Sequence, residues 1–426
     1  MDLPISDFST GVLVQKYGGS SLATDAQVRA VATRVAAAHR SGRAVVVVAS
    51  ARGKTTDALL RAAYDLNPDP SWRELDLLLA TGEAASASLL AMTLQHLGVP
   101  AVALAGTQSG ILAGGEHGAG VIVAIDTELA LRHLRAGKVV VVAGFQGADA
   151  DGDIVTLGRG GSDTTAVAIA AELGTGRCEI YTDVEGVYTA DPRIAAAARI
   201  MPVVDMGVMT EMSLAGAKVM HSRAVELAAL YGVDIHVMHS SLEGPGTVIR
   251  GGIGEEMLET STAVQAVVHD TDVARVAMRV ERIDAHSVAE VFRFLAHKSI
   301  PVGMAALSEG DEGGFSVGMT VRRSDVPDLR KSLREMAVRW GGWVEVNEEV
   351  GMLSVVGTGL LSRPQYAARM LSALTSADIP ASAVVTSQLR ISATVPDSDV
   401  VRGVGVLHSE FGLDAEARDL RPANQF

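Results

Sequence analysis

The sequence predicts an α/β protein with a mostly parallel sheet, followed by two small β-α-β-β-α-β units. Three observations carry that expectation. From residue 12 to about residue 240, short valine-rich runs of strand length alternate with longer stretches of helical periodicity. Glycines close several of those runs, at 18–19, 53, 144 and 158–161. Beyond a glycine-rich, charged stretch at 250–259 (RGGIGEEMLE), one strand–helix order occurs twice. Strands separated by helices pair in parallel and are covered on both faces. Ligands of such sheets lie at the carboxyl ends of the strands, where the glycine turns fall here.

The elements follow in order. Residues 12–17 form a strand that ends in a Gly-Gly-Ser-Ser turn, and 25–39 a helix. Residues 44–50, apolar as far as Ala49, are a strand, and 56–66 and 74–97 are helices. Residues 101–105 are a strand, 128–136 a helix and 139–144 a strand. Helix 166–173 leads to strand 179–182, helix 210–230 and strand 234–238. The stretch at 250–259 reads as a linker. Then come strand 273–280, helix 288–298, strand 314–321, helix 326–338 and strand 343–348, and the order recurs over 352–358, 365–377, 389–395 and 397–410. The domain limits read from this are 1–250, 251–262 (linker), 263–342 and 343–426.

Composition bounds the function. The chain has 426 residues, enough for two to four domains, and nearly half are apolar, ample for large cores. Its net charge is −14 with no basic block, which makes nucleic acid and anionic membrane poor partners. Such a chain also repels a nucleotide, so an ATP site must create its own local positive field. The single cysteine, Cys178, permits neither an internal disulfide nor a cysteine metal cluster, and reads as a small buried filler at a strand start. The first ten residues, MDLPISDFST, lack a basic region followed by an apolar core. The longest apolar runs, 44–51 and 139–145, are strand-sized rather than membrane-sized. A soluble, cytoplasmic protein is expected.

The densest motif is Gly158-Arg159-Gly160-Gly161-Ser162-Asp163-Thr164-Thr165-Ala166. Its glycines bare backbone N–H groups just before a helix, where a phosphate or carboxylate can sit. Arg159 adds a planar fork suited to a carboxylate. The strand end Lys16-Tyr17-Gly18-Gly19-Ser20-Ser21 sets a lysine beside two glycines, a point charge able to reach over a backbone cradle toward a transferring phosphoryl group. Tyr181 to Arg193 (YTDVEGVYTADPR) follows a strand with an aromatic, polar side chains, a proline and an arginine, as a nucleotide loop would. Gly53-Lys54-Thr55-Thr56 looks like the end of a P-loop, but the required earlier glycine is Val48, so that motif fails. Gly158-x-Gly160 fails as a dinucleotide fingerprint because Asp163 stands at the third glycine. The histidines show no metal-ligand spacing, and His117, His221 and His239 read as structural or solvated.

KYGGSS, TGE, GFQG, GRGGSDTTA, YTDVEGVYTADPR and GAKVMHSRAVE, in this order, resemble aspartate kinases of the amino-acid kinase superfamily. The resemblance spans the chain and is densest over 12–240. It implies a three-layer amino-acid-kinase sandwich followed by two ferredoxin-like ACT units that interlock, the strand near 263–269 pairing into the second. It implies that Lys16 neutralises the transferring γ-phosphoryl group and that Asp163 organises that lysine. Ser20 and Ser21 would lie near the reacting groups. Glu83 would hold the substrate ammonium and Arg159 its α-carboxylate, with Ser50, Phe145 and Ser162 lining the same pocket. Gly18, Gly19, Thr182, Asp183, Tyr188, Arg193 and Lys218 would serve the nucleotide. Magnesium would ride on the ATP phosphates, and no dedicated protein metal site is implied. ACT units imply pairing between identical chains and an amino-acid effector.

Departures from the family pattern are local. Arg52 stands in Ser50-Ala51-Arg52-Gly53 where the family usually has methionine, so its charge is directed either at the phosphates or at solvent. Ala119-Gly120-Val121-Ile122 lacks a family arginine. In the first ACT unit, 281–287 (ERIDAHS) replaces the usual Asp-x-Pro-Gly effector loop, and Ile300-Pro301-Val302-Gly303 replaces the segment that follows. The resemblance therefore implies ATP-dependent phosphorylation of L-aspartate with weakened feedback by lysine and threonine. Two alternatives are a same-fold kinase for a modified aspartate and a non-catalytic ACT-bearing regulatory subunit.

Overall fold

The computed structural model describes residues 11–252, 263–280, 285–298, 300–309 and 315–414. Two compact units emerge. Of the described residues, one holds those within 11–187, 200–213 and 218–252; the other holds those within 188–199, 214–217 and 263–414.

In the first unit the order is β1 (Val12–Tyr17), α1 (Asp25–Arg40), β2 (Ala44–Ala49), α2 (Thr55–Leu66), α3 (Trp72–His96), β3 (Ala101–Leu104), β4 (Ile111–Gly114), β5 (Val121–Ile125), α4 (Glu128–Arg135), β6 (Val139–Ala143), β7 (Gln146–Ala148) and β8 (Ile154–Thr156). Then come α5 (Gly161–Glu172), β9 (Arg177–Thr182), β10 (Val203–Asp205), α6 (Met206–Leu214), α7 (Ser222–Tyr231), β11 (Asp234–His239) and β12 (Thr247–Arg250). The main sheet runs β10-β12-β11-β9-β1-β2-β6-β3, parallel except for β11 against β12. Its central strands β2 and β6 are Val-rich and buried almost throughout, as strands covered on both faces must be. On one face α1 and α3 pack over Tyr17, Val45, Val47, Val139 and Val141. α5 covers β1, β2 and β9 from the other face and packs on α7. These three layers are the expected α/β sandwich.

Local chemistry explains the element ends. α1 begins in a capping box: the Gln27 N–H donates to Thr24 Oγ1, and the Thr24 N–H donates to Gln27 Oε1. Cys178 is fully buried in β9, the filler role expected, and burial pushes its thiol pKa upward. α3 is long and apolar enough by length and composition to cross a membrane. Here it packs on the sheet and carries buried Asp76 and Glu83, so it is a core helix.

Some elements differ from the sequence reading. The single helix expected over 210–230 is two, α6 and α7, and His221 caps the second by accepting from the Arg223 N–H. A small sheet, β5-β4-β7-β8, was not foreseen. Its strands span only three to five residues, and β4 and β7 hold a glycine, too little for a period-2 pattern to register.

The second unit contains β13 (Val264–Val280), α8 (Ala285–His297), β14 (Met304–Glu309), β15 (Phe315–Val321), α9 (Val326–Arg339), β16 (Trp343–Gly357), α10 (Gln365–Ser376), β17 (Ser382–Thr386), β18 (Arg390–Pro396) and α11 (Val400–Glu410). They form one antiparallel sheet, β14-β15-β13-β16-β18-β17. The strands read separately at 343–348 and 352–358 are the single strand β16, and β14 and β17 were not foreseen. β13 and β16 pair along nearly their whole length, from Val264 opposite Gly357 to Arg279 opposite Trp343. Irregular register near Asp270–Arg275 marks where one half of the sheet passes into the other. Each half is ferredoxin-like, with its own core: Val276, Met278, Leu295, Met319 and Leu333 in one, Val267, Leu353, Met370, Ile391 and Leu407 in the other. The linker read at 251–262 falls mostly outside the described residues.

The segment 188–199 packs into the second half of this unit, where Ala190 and Ala195 enter the core. Thr189 ties it down. Its N–H donates to the Arg199 carbonyl at 2.9 Å, and its own carbonyl accepts from the Val267 N–H at 2.8 Å. Its hydroxyl accepts from the Arg199 N–H at 3.0 Å and lies 3.0 Å from His408 Nε2 on α11.

Candidate active site

The site is built where the glycine turns of β1 and β2 meet the N-terminus of α5. Lys16 shares a face of β1 with Val14, the face that α5 covers. Its ammonium folds back over the following turn, and a Cβ placed on Gly18 would lie 3.5 Å from Lys16 Nζ. The two turns are locked together. The Gly53 N–H donates to the Gly19 carbonyl at 2.9 Å, and a Cβ on Gly19 would fall 2.6 Å from the Ala51 carbonyl oxygen. Only glycine fits there. Ser20 is exposed, whereas the Ser21 hydroxyl is buried without a hydrogen-bond partner among the described residues.

α5 starts after the turn at 158–160. Gly160 caps it at φ 71°, and a Cβ there would lie 2.2 Å from His221 Cβ. The first helical turn presents Ser162 and Asp163, both buried. Asp163 Oδ1 lies 2.5 Å from Lys16 Nζ, each side chain 11% exposed. Ser162 sits against Gly144, which has no room for a Cβ beside it. Phe145 is held at φ 67°, a left-handed conformation costly for an aromatic residue. Its N–H donates to Thr165 Oγ1 and its carbonyl accepts from the Leu157 N–H. The pocket wall is thus strained at the residue the sequence assigns to it.

Glu83 approaches from α3. It is 4% exposed, and its Oε1 accepts from the Ala51 N–H at 3.0 Å. Among the described residues its Oε2 has no partner, and one turn further on neither does the buried Ser86 hydroxyl. Burial raises the Glu83 pKa to about 7, an effect the Ala51 N–H partly opposes. A buried carboxylate oxygen left without a donor fits an incoming cationic group. Ser50 is half-buried, and its N–H donates to the Tyr17 carbonyl.

The structure therefore joins Lys16, Gly18, Gly19, Asp163 and Glu83 into one continuous set, with Ser162 and Phe145 beside it. The amino acid kinase family's sequence model matches residues 11–239, and an ACT domain model matches 353–411. The aspartokinase of Mycolicibacterium smegmatis is 39% identical over 409 residues, covering 95% of this chain and 97% of that one. This chain belongs to the aspartokinase family. The aspartokinase of Geobacillus stearothermophilus is likewise 39% identical over 411 residues, covering 96% of this chain and all (100%) of that one. In three dimensions, E. coli aspartokinase III in complex with aspartate and ADP superposes with a TM-score of 0.78 at 23% identity, over 94% of this chain and 99% of that one, which establishes the shared fold.

The remaining residues expected of an aspartokinase site are placed as follows. Arg159 is exposed on its turn and makes no hydrogen bond or ion pair among the described residues. Thr182 ends β9 and donates to Asp183 Oδ1 at 3.0 Å; Asp183 and Lys218 are exposed. Tyr188 and Arg193 belong to the second unit, and there the Arg193 guanidinium bonds both carboxylate oxygens of Asp191.

Arg52 corrects the sequence reading, which directed it at phosphates or at solvent. Its Nε donates to the Leu22 carbonyl at 2.9 Å, and its Nη2 reaches Asp25 at 2.8 Å. The guanidinium staples the β2 turn to the start of α1 instead. Sequence reasoning also missed Asp76, the most deeply buried carboxylate of α3. Its signal was a lone acid two helical turns before Glu83, on the same face. It lies 2.9 Å from His117 Nδ1, which gives that histidine its structural role.

Proposed function

We propose that this chain transfers the γ-phosphoryl group of ATP, bound as its magnesium complex, to the β-carboxylate of L-aspartate. The product is 4-phospho-L-aspartate, the entry to lysine, threonine and methionine synthesis. The observation that carries this reading is the buried Lys16–Asp163 pair over the Gly18-Gly19 turn, joined through Ala51 to the unpartnered oxygen of Glu83.

The chemistry follows from those groups. An aspartate β-carboxylate has an ordinary pKa near ~4, so it is already a nucleophile at neutral pH and needs no general base. One of its oxygens bonds to the γ-phosphorus while the bond to the β-γ bridging oxygen breaks, and ADP leaves with the electron pair. Charge on the transferring group is met by Lys16, which Asp163 holds in place. Glu83 receives the substrate ammonium and Arg159 its α-carboxylate, so alignment supplies much of the remaining rate. The alternative of a non-catalytic regulatory subunit is disfavoured by the intact ion pair, which costs burial of two charges and has no use without phosphoryl transfer.

We extend the reading to regulation. The effector loop of the first ACT half lacks its Pro-Gly turn, and 281–284 lie outside the described residues. Feedback by lysine and threonine is therefore proposed to be weak. The sheet edges β14 and β17 carry exposed residues, consistent with pairing between copies of a cytoplasmic enzyme.

Aspartyl-hydroxamate formation with ATP, magnesium, aspartate and hydroxylamine tests both statements. Activity that persists with millimolar lysine plus threonine is expected. Activity abolished by those amino acids would overturn the regulatory reading. No activity with aspartate, but activity with a substituted aspartate, would favour the same-fold kinase of a modified substrate.

A further inference from the structure

We infer that Asp76 is a positioning residue that sets the Arg159 turn for the substrate carboxylate. The inference rests on the assignment of Arg159 to that carboxylate. Asp76 is 0% exposed, and protein donors surround its carboxylate. The Thr156 N–H donates to Oδ2 at 3.0 Å, and the Thr156 hydroxyl donates to Oδ1. The Gly118 N–H reaches both oxygens, at 2.9 and 3.1 Å, and His117 Nδ1 lies 2.9 Å from Oδ2. A carboxylate offers about four lone-pair sites, and these donors engage them. Asp76 is therefore a knot rather than a ligand site. It ties α3 to two segments that lie 41 and 80 residues further along the chain.

Both segments lead to the same turn. Thr156 ends β8, and its carbonyl accepts from the Gly120 N–H at 2.9 Å. Leu157 follows, its N–H given to Phe145 and its carbonyl accepting from Arg223 Nη1 at 2.8 Å. Arg223 Nη2 donates to the Gly120 carbonyl at 2.9 Å. The next residues are Gly158 and Arg159. Because the Arg159 side chain has no partner among the described residues, its placement depends on these backbone anchors. Asp76 is the carboxylate that holds them to α3.

The same helix carries Glu83 seven residues later. At 1.5 Å of rise per residue that is about 10 Å along the axis, on one face. α3 thus acts as a ruler. One end anchors the turn that bears the carboxylate-binding arginine, and the other supplies the ammonium-binding glutamate. An α-amino acid presents both groups from one carbon, so the two must be held in register.

Steady-state kinetics on the full chain test this, with each substrate varied in turn. The variants are Asp76→Ala, Asp76→Asn and Thr156→Val, each alone and combined with Arg159→Ala. Asp76→Ala is expected to raise KM for aspartate about tenfold or more, the loss typical of hydrogen bonds to a charged group, and to leave KM for ATP within about twofold. Asp76→Asn is expected to recover most of that loss. Its amide oxygen in the Oδ2 position keeps His117, Gly118 and Thr156 bonded, and its NH2 faces the Thr156 hydroxyl, which can rotate to accept. In the Arg159→Ala background the Asp76→Ala effect on aspartate KM should shrink to about twofold or less, because coupled residues are non-additive. Full multiplicative loss in both backgrounds, or a parallel rise in both KM values, would overturn the inference and leave Asp76 merely structural.

If Asp76→Ala does not fold, Thr156→Val carries the same comparison, with an expected rise of about threefold in aspartate KM that disappears without Arg159. If the wild-type chain does not phosphorylate aspartate, the functional reading fails, and hydrogen exchange decides the positioning role separately. Asp76→Ala, or Thr156→Val where that variant does not fold, should then speed exchange at 156–160 and leave 48–51 unchanged. Unaltered protection at 156–160 would end the inference.

Discussion

Lys16 Nζ and Asp163 Oδ1 stand 2.5 Å apart, one at the end of a central strand and the other in the first turn of a helix. Both side chains are largely withdrawn from water, so neither charge tolerates loss of its partner. Lys16→Met is expected to lower kcat by at least about a hundredfold, the scale of removing one preorganised charge contact, with KM for aspartate little changed. Asp163→Asn should lower kcat less. Initial rates in the hydroxamate assay check the order; equal KM and kcat effects would point to a binding role instead.

The proposed role of Glu83 as the seat of the substrate ammonium predicts that aspartate binding is sensitive to pH. Its pKa is raised to about 7 by burial, so in the free protein it is half protonated at neutrality. An ammonium ligand requires the carboxylate form, and the apparent affinity scales with the fraction in that form. Between pH 8 and pH 6 the fraction falls roughly tenfold, so KM for aspartate should rise by about the same factor. Glu83→Gln should raise KM at pH 8 and flatten the profile. A flat profile in the wild-type enzyme would contradict the assignment.

Gly19→Ala is a sharp test of the turn lock. A Cβ there would meet the Ala51 carbonyl at 2.6 Å, so the β1 and β2 turns must separate. Because Ala51 also holds Glu83, both activity and thermal stability should fall, with a destabilisation of about 1–3 kcal/mol typical of overpacking. Calorimetry and aspartate KM on the same sample measure the two effects. Gly244→Ala, at a glycine that like Gly19 has no positive φ but has open space around it, provides the comparison for a Cβ added without a clash.

His408 gives the second unit its own acid sensitivity. Burial lowers its pKa below the ordinary histidine value of 6.5, with Arg199 acting in the same direction and Asp414 against it. The folded state therefore disfavours the protonated ring. The stabilising contribution is present above the unfolded value and is lost as pH falls below about 6.5 toward the folded value. His408→Gln keeps a donor for Thr189 and should reduce the loss of stability between pH 7 and pH 5, measured by thermal melts. An unchanged pH slope would remove His408 from the acid response.

Much of this was legible in sequence, and for identifiable reasons. Glycines at 18–19 and 158–161 announce backbone that must approach closely, and strand periodicity fixes which face Lys16 occupies. The parallel sheet was readable because β2 and β6 are continuous valine runs. Asp76 was not, because its partners lie far along the chain and half of them are backbone N–H groups, which no residue type reveals. The role of Arg52 stayed open in the sequence for a related reason: its fork binds the backbone carbonyls of Leu22 and Ala23. The continuity of β16 was hidden by Asn347-Glu348-Glu349, a polar stretch that looks like a turn yet lies within the strand.

The shared strands β13 and β16 have a consequence for how this region is inherited. The first ferredoxin-like half is unbroken in sequence, from Val273 to the middle of β16. The second is not: its closing strand, 264–270, comes before the first half begins. One half is therefore an insertion inside the other. Asp270 sits opposite Met352 in the ladder, so deleting the stretch between them would bring together two ends that already lie side by side, ready to be joined by a hairpin. A lineage could lose the inner half in a single genetic event and keep the outer one whole, whereas losing the outer half would strand its first segment as an unpaired leader.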